Sequence, residues 1–121
     1  MVKALFDTNV LIDFLHNVAP ARDVIDGYEA GAISVVTWIE VMIGVERDLE
    51  AGTRDFLNSF EFVGLEPPVA EEAVLLRRTH RIKLPDAIIW ASARRTGRLL
   101  VTRNTRDFPA DDPGVRHPYV L

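Results

Sequence analysis

The segment Val2-Lys3-Ala4-Leu5-Phe6-Asp7-Thr8-Asn9-Val10-Leu11-Ile12 contains the first predicted strand and the start of the first predicted helix. Its apolar run, residues 2–6, is short and ends at a polar residue, which is typical of a buried parallel strand. Ligands of open parallel sheets bind beyond the carboxyl ends of the strands, so Asp7 is a candidate functional residue. Asp7 or Thr8 could instead be the N-cap of the helix that Asn9 begins. The position alone leaves both interpretations open.

Short apolar runs and helical patterns continue to alternate along the chain. Further strands are predicted at residues 32–36 and 99–102, with weaker candidates at 62–65 and 119–121. Helices are predicted at residues 20–29, 37–49, 53–60, 69–81 and 85–96, and a loop at 109–118. This alternation predicts an α/β fold in which helices cover both faces of a parallel sheet.

The length and composition indicate a single globular domain over residues 1–121. Because the chain has no cysteine, disulfides, thiolate metal sites and a cysteine nucleophile are excluded. No apolar run approaches the roughly 18 residues that cross a bilayer, and the start of the chain does not resemble a signal peptide. A cytoplasmic location without membrane contact is therefore expected.

Charge is unevenly distributed along the chain, whose net charge is −4. Residues 1–65 contain 4 basic and 11 acidic side chains, whereas residues 66–121 contain 10 and 7. An anionic ligand beside the second half would explain this asymmetry, and scattered, solvated helix faces would explain it about as well. Charge therefore permits a nucleic-acid partner without establishing one.

Glu40 and Asp86 are two further candidate acids. Glu40 follows the predicted strand at 32–36, but Thr37-Trp38-Ile39-Glu40 also has the spacing of a capping box, which is a strong structural alternative. Asp86 opens a helix whose sequence predicts burial on nearly all sides, where the helix dipole contributes only about 0.3–1 kcal/mol. A charge among apolar neighbours costs several kcal/mol unless it is paired or bound to a metal. We therefore expect Asp86 to have a partner that compensates its charge.

A fourth group of oxygen ligands follows the predicted strand at 99–102, in Thr102-Arg103-Asn104-Thr105-Arg106-Asp107-Phe108. The structural alternative is a turn made of ordinary turn-forming residues. These candidate residues lie too far apart along the chain for any local motif, so only the fold would bring them together. Oxygen ligands without histidine or cysteine suit Mg²⁺ or Mn²⁺ and not zinc. The histidines His16, His80 and His117 are scattered and indicate no site.

Four segments together closely resemble the PIN-domain nucleases, specifically the VapC-type toxins of bacterial toxin–antitoxin pairs. Their order, their spacing and the total length all agree, so the resemblance covers essentially the whole chain. The segments are Leu5-Phe6-Asp7-Thr8-Asn9-Val10, Thr37-Trp38-Ile39-Glu40-Val41-Met42-Ile43-Gly44, Leu84-Pro85-Asp86-Ala87-Ile88-Ile89 and Val101-Thr102-Arg103-Asn104-Thr105-Arg106-Asp107-Phe108.

The resemblance implies a three-layer α/β/α domain with a twisted parallel sheet of about five strands. It further implies a Mg²⁺- or Mn²⁺-dependent endoribonuclease that cleaves tRNA or ribosomal RNA. The metal-site acids would be Asp7, Glu40 and Asp86, with Asn104 at a fourth position that is often Asp in the family. Asn104 would coordinate through its amide oxygen or through water, or Asp107 would compensate for it. Thr8 and Thr102 match polar residues that line or brace the site.

The mechanism implied is activation of water by one or two metal ions at these acids. Arginines of the second half would contact the phosphates of the RNA, with Arg77, Arg78, Arg103 and Arg106 as the candidates. The partners implied are a VapB-type antitoxin and a second copy of the chain in a homodimer. With the antitoxin, a larger hetero-oligomer capable of binding promoter DNA through the antitoxin is expected.

Two other functions remain open from the sequence. One is a PIN-like binding module without catalytic activity, which Asn104 in place of an acid keeps open. The other is a phosphatase or response-regulator receiver in which Asp7 is phosphorylated, since a receiver has a similar length and topology. The receiver is disfavoured because adjacent early acids, a central Asp after the third strand and a Lys after a late strand are not evident.

Overall fold

The computed structural model describes residues 2–121, in which five strands form one sheet. The strands are β1 Ala4–Phe6, β2 Gly31–Ser34, β3 Glu61–Val63, β4 Leu99–Val101 and β5 Val115–Arg116. Each neighbouring pair is parallel, and the order across the sheet is β3-β2-β1-β4-β5. The predicted parallel sheet is therefore confirmed.

Helices connect β1 to β2, β2 to β3 and β3 to β4 and cover both faces of the sheet, whereas turns lead from β4 to β5. They are α1 Thr8–Leu15, α2 Ala19–Asp26, α3 Val35–Gly44, α4 Glu50–Asn58, α5 Pro67–His80 and α6 Leu84–Arg95, with a 3₁₀ turn at Arg47–Leu49. No helix within residues 2–121 is both long and apolar enough to cross a membrane.

Successive residues of each strand face opposite sides of the sheet, and this alternation creates two cores. Leu5 of β1 and Leu100 of β4 contribute to the core shared with α5 and α6. Phe6 and Val101, the next residues along, contribute to the core shared with α1, α3 and α4. The three-layer α/β/α arrangement is thus confirmed.

The position of β1 in the sheet decides between two predicted functions. β1 lies between β2 and β4, so the strand order is 3-2-1-4-5. Response-regulator receivers have the order 2-1-3-4-5. The receiver alternative is therefore wrong.

At two positions, the structure shows why the residue is a glycine. Gly31 begins β2 against the Phe6 ring, and a Cβ at this position would collide with that ring. Gly97 follows α6 with a φ of 65°, in the left-handed region that glycine adopts without strain. The helix predicted at residues 85–96 therefore ends within one residue of its predicted end.

The end of the chain differs from the prediction. Residues 109–118 were expected to form a loop but contain β5, whereas the strand predicted at 119–121 is irregular in the structure. Val115 is buried and pairs with Leu100 across the sheet. A strand of two residues is too short to show an alternating pattern, which is why the sequence does not reveal it.

The third helix begins earlier and ends earlier than the predicted range of 37–49. Ser34 is its N-cap, and the Ser34 hydroxyl accepts a hydrogen bond from the Val36 N–H at 3.1 Å. The capping-box alternative for Thr37 and Glu40 is therefore wrong, since both lie inside the helix. Val35 and Val36 have the β-branched side chains of a strand, but the Ser34 cap places them in the first helical turn.

Candidate active site

Asp7 lies at the junction of β1 and α1, at the carboxyl end of the central strand. Its Oδ1 accepts a hydrogen bond from the Thr8 N–H at 2.7 Å, so Asp7 is the N-cap of α1. Its Oδ2 accepts from the Thr102 hydroxyl at 2.7 Å and from Asn9 Nδ2 at 3.2 Å. Because Asp7 is only 4% exposed, these three donors fix the orientation of its side chain. The N-cap of α1 and the buried candidate acid are therefore the same residue.

Glu40 lies on an exposed side of α3 and is held next to the start of α1. The Thr8 hydroxyl donates to Glu40 Oε1 at 2.6 Å. The hydroxyl of buried Thr37 lies 3.0 Å from Thr8 Oγ1. Since Thr8 has a single hydroxyl proton, Thr37 donates to Thr8 while Thr8 donates to Glu40. This relay places the Glu40 carboxylate close to Asp7.

Asp86 lies in the first turn of α6 and is half-buried. The helix that Asp86 opens is buried at Ala87 and at residues 89–93, as its sequence predicts, whereas Asp86 itself is only partly shielded from solvent. Burial raises the pKa of Asp86, and the charges of Asp107 and Glu40 raise it further, whereas Lys83 opposes them. The charged groups that affect Asp86 are therefore two acids, Asp107 and Glu40, and two cations, Lys83 and Arg106.

We call Asp7, Glu40, Asp86 and Asp107 the acidic cluster. Burial raises the pKa of Asp7 to about 6 from 3.8, against hydrogen bonds that lower it, and the charges of Asp86 and Glu40 add to the increase. Carboxylates held this close destabilise one another's charged forms, and a bound cation would reverse that effect. The fold thus brings together the three predicted acids and Asp107.

Asn104 uses its amide within its own turn. Its Oδ1 accepts hydrogen bonds from the N–H groups of Arg106 and Asp107, both at 3.1 Å. Its Nδ2 donates to Asp107 Oδ2 at 3.0 Å. Both lone pairs of the amide oxygen are thereby occupied, so Asn104 shapes the turn and orients Asp107.

Thr102 and Asn9 connect this turn to Asp7. Thr102 is buried at the end of β4, and its hydroxyl accepts from the Asn104 N–H at 3.0 Å while donating to Asp7. Thr8 and Thr102, which were expected to line or brace the site, thus each contact one of its acids. Asn9 was not predicted as a site residue, although its position two residues after Asp7 was a usable signal.

The four arginines predicted to contact RNA occupy different surroundings. Arg106 is at the site: its side chain is 83% exposed, and its Nε lies 3.8 Å from Asp107 Oδ1. Arg77 and Arg78 lie in the last turn of α5 and line a groove of about 460 Å³ whose lining includes no member of the acidic cluster. Arg103 makes a bidentate ion pair with Asp13. Lys83, which the sequence did not single out, is an additional cation beside Asp86.

The donor set of the acidic cluster suits a divalent cation that keeps part of its water shell. Within residues 2–121, no three Asp, Glu or His side chains are arranged to hold a metal ion by themselves. Mg²⁺ in proteins is usually bound through one or two carboxylates together with several waters. All the donors here are oxygens, which fits Mg²⁺ or Mn²⁺ and does not fit zinc.

Comparison with known proteins identifies similar chains. The model of the PIN domain family matches residues 4–110. A chain in a toxin–antitoxin complex from Klebsiella pneumoniae is 42% identical with a TM-score of 0.93, over 98% of this chain and 99% of that chain. No curated protein sequence matches this chain.

Two more distant solved structures share the fold. FitAcB from Neisseria gonorrhoeae is 23% identical with a TM-score of 0.78, over 98% of this chain and 99% of that chain. DNA-bound VapBC from Salmonella typhimurium is 23% identical with a TM-score of 0.75, over 96% of each chain. At these identities the similarity supports the fold alone.

Proposed function

Since the chain belongs to the PIN domain family, we propose that residues 1–121 form a single nuclease domain, the toxin of a type II toxin–antitoxin pair. We propose further that it is a Mg²⁺- or Mn²⁺-dependent endoribonuclease. PIN domains are generally nucleases. The observation that carries the proposal is the acidic cluster, in which burial and neighbouring acids raise the pKa of Asp7 to about 6. Without a cation, such a group of acids destabilises itself and repels RNA.

The residues that would hold the ion are Asp7, Glu40, Asp86 and Asp107. A bound divalent cation supplies Lewis-acid activation of water and offsets the negative charge at the scissile phosphate. Asn104 is assigned to positioning, because its amide oxygen already accepts two hydrogen bonds. Asp107 therefore takes the fourth position in place of Asn104.

The protein's own contribution is to fix the acids before substrate arrives. Thr102 and Asn9 orient Asp7 Oδ2, while the Thr8 N–H holds Oδ1. The Thr8 hydroxyl fixes Glu40 in the same way. Preorganised groups of this kind need no rearrangement during the reaction, which is a major source of enzymatic rate acceleration.

Two exposed cations at the rim of the acidic cluster suit contact with RNA phosphates. Arg106 and Lys83 both lower the pKa of Asp86 through their positive charges, which places them beside that acid. Contacts of this kind position a nucleic acid without reading its sequence. Arg77 and Arg78 remain candidates for more distant phosphates, whereas Arg103 is engaged by Asp13.

The proposed partners follow from the most similar of the structures described above. The relative that is 42% identical was solved as a toxin–antitoxin complex. We accordingly propose a VapB-type antitoxin as the partner of this chain, a homodimer of the chain, and a hetero-oligomer that binds promoter DNA through the antitoxin. The proposed substrate is tRNA or ribosomal RNA.

The proposal is tested by RNA cleavage with the purified chain, with and without Mg²⁺ or Mn²⁺, and with a chelator. Asp86→Asn is compared with Asp111→Asn, which removes an exposed acid outside the acidic cluster. We expect metal-dependent cleavage that falls at least about 100-fold in Asp86→Asn, because losing one preorganised electrostatic group costs about that much. Asp111→Asn should cleave at the wild-type rate.

Full activity of Asp86→Asn, or wild-type cleavage in the presence of the chelator, would contradict the proposal. Mixing the chain with its antitoxin should suppress cleavage and yield a larger complex on size-exclusion chromatography. A chain that neither binds Mn²⁺ in calorimetry nor cleaves RNA would support the non-catalytic binding module.

A further inference from the structure

Asp13, Arg103 and Tyr119 form a second polar group, which we call the Asp13 cluster. Asp13 lies on α1 and is only 6% exposed. Arg103 donates from Nε to Asp13 Oδ2 at 2.7 Å and from Nη2 to Oδ1 at 2.9 Å, and the Tyr119 hydroxyl donates to Oδ2 at 2.7 Å. Bidentate, charge-assisted hydrogen bonds are among the strongest in proteins. The nuclease chemistry proposed above makes no use of this buried carboxylate.

Arg103 is attached to α1 at two points. Its side chain binds Asp13, and its backbone N–H donates to Asn9 Oδ1 at 3.1 Å. Asn9 and Asp13 are separated by one helical turn and therefore lie on the same face of α1. Two attachments along one helix face determine both the place and the direction of the chain at Arg103.

The position of Arg103 in turn determines the two donors to Asp7 Oδ2. Thr102, the preceding residue, donates its hydroxyl to this oxygen at 2.7 Å. Asn9, whose amide oxygen accepts from Arg103, donates through Nδ2 to the same oxygen at 3.2 Å. Both contacts depend on the segment that Asp13 holds.

We propose that the Asp13 cluster is a positioning device for Asp7: it holds Thr102 and Asn9 against the Asp7 carboxylate and so orients that carboxylate toward a divalent cation. This inference rests on the proposed metal-dependent function. Arg103 acts through Thr102 in this arrangement and does not touch RNA. Residues that support metal ligands typically change metal affinity or activity by about 10–100-fold when they are substituted.

Three substitutions in the Asp13 cluster test this role at different strengths. Asp13→Asn keeps the shape of the side chain and removes its charge. Arg103→Lys keeps the positive charge and removes the bidentate contact with Asp13. Tyr119→Phe removes one hydroxyl and is the mildest change. Glu50→Gln is the matched control, since it breaks the surface ion pair of Arg54 and Glu50, in which both side chains are 46% exposed.

We expect Asp13→Asn to lower kcat by about 10–100-fold and to weaken Mn²⁺ binding in calorimetry about tenfold, with KM for RNA within about twofold of wild type. Arg103→Lys should fall between Asp13→Asn and the wild-type chain. Tyr119→Phe should show the same pattern with the smallest loss, and Glu50→Gln should match the wild-type chain.

Amide hydrogen exchange gives a readout that does not require activity. The Arg103 N–H is bonded to Asn9, and the Asn104 N–H is bonded to Thr102. In Asp13→Asn and Arg103→Lys, these two amides should exchange faster while the amides in the middle of α6 keep their wild-type protection. Tyr119→Phe, which leaves the ion pair intact, remains informative if Asp13→Asn fails to fold.

Wild-type exchange at Arg103 and Asn104 in every folded variant, or wild-type Mn²⁺ affinity and kcat, would overturn the inference. A raised KM in Arg103→Lys without any effect of Asp13→Asn would also overturn it, because Arg103 would then be an RNA contact. Failure of the proposed function is recognised separately, since the wild-type chain would then neither bind Mn²⁺ nor cleave RNA.

Discussion

Asp7, the N-cap of α1, and Asp13, within α1, are both buried. Their pKa values are nevertheless shifted from the ordinary value in opposite directions. Burial raises the pKa of Asp7 to about 6, with help from Asp86 and Glu40. Burial also acts to raise the pKa of Asp13, but the hydrogen bonds from Arg103 and Tyr119 hold it below its ordinary value. Burial is common to both aspartates, so the charge of the neighbours decides the difference.

The comparison separates a structural acid, Asp13, from an acid proposed to be functional, Asp7. Asp13 has its counter-ion within the chain, and its charge is therefore satisfied when the chain folds. Asp7 receives only neutral donors and lies beside further acids. A buried carboxylate such as Asp7 that has no ion-pair partner of its own costs stability when charged, and strongly perturbed carboxylates of this kind are typical of functional sites.

The largest expected effect concerns Asp107, the fourth acid of the acidic cluster. Asp107→Asn should lower kcat/KM for RNA cleavage by about 10²–10³-fold, or about 3–4 kcal/mol, because a charge of the acidic cluster is lost. Asn104→Ala should cost only about tenfold, since it loosens the turn that orients Asp107. Single-turnover cleavage of one defined RNA measures both. A larger loss in Asn104→Ala than in Asp107→Asn would assign the fourth position to Asn104.

The next effect is the pH dependence of stability that Asp7 causes. Its pKa in the folded chain, about 6, exceeds the ordinary value of 3.8, so the folded state binds the proton more tightly than the unfolded state. Stability should therefore fall as pH rises from about 4 to 7, by about 3 kcal/mol relative to Asp7→Asn. Urea unfolding of both chains in a chelator measures this difference, and Mn²⁺ at pH 7 should restore stability in the wild-type chain only. If the stability of the two chains changed with pH in the same way, Asp7 would not be the cause of the pH dependence.

The smallest effect concerns Asp13 and has the opposite sign. Its pKa is lowered from 3.8, so its contribution to stability is present above about pH 4 and is lost as pH falls below that value. At pH 7, Asp13→Asn should be less stable than wild type by about 2 kcal/mol, less than for a fully buried pair because the Arg103 side chain is 35% exposed. The difference should narrow in urea unfolding as pH falls below about 4. A constant difference across that range would show that the charge of Asp13 is not the cause.

Asp7 and Asp86 could be proposed as candidates because they lie at the end of an apolar run and at the start of a helix. Glu40 was expected to follow a strand but lies inside α3. The sheet could be predicted for the same reason, since β1, β2 and β4 are short buried runs. β5 could not, because its two residues show no period.

The hydrogen bonds and ion pairs among the predicted residues could not be predicted from the sequence, for a different reason. The hydrogen bonds of Asn104 within its turn depend on backbone torsions that no residue pattern specifies. The partner of Arg103 lies 90 positions away along the chain, and a lone arginine predicts a phosphate contact as readily as an ion pair. Side-chain pairing across such separations is settled by the packing of β4 against β1, which is a property of the whole fold.

The separation between Asp7 and Thr102 along the chain also determines when the acidic cluster can be completed during synthesis. Asp7 leaves the ribosome before Thr102, a donor that orients it and follows 95 positions later. At translation rates of about 5–20 residues per second, the delay is about 5–20 s. A growing or prematurely terminated chain that lacks β4 has the first acid without the Thr102 hydroxyl that orients it. The proposed nuclease activity should therefore appear only after β4 has been made.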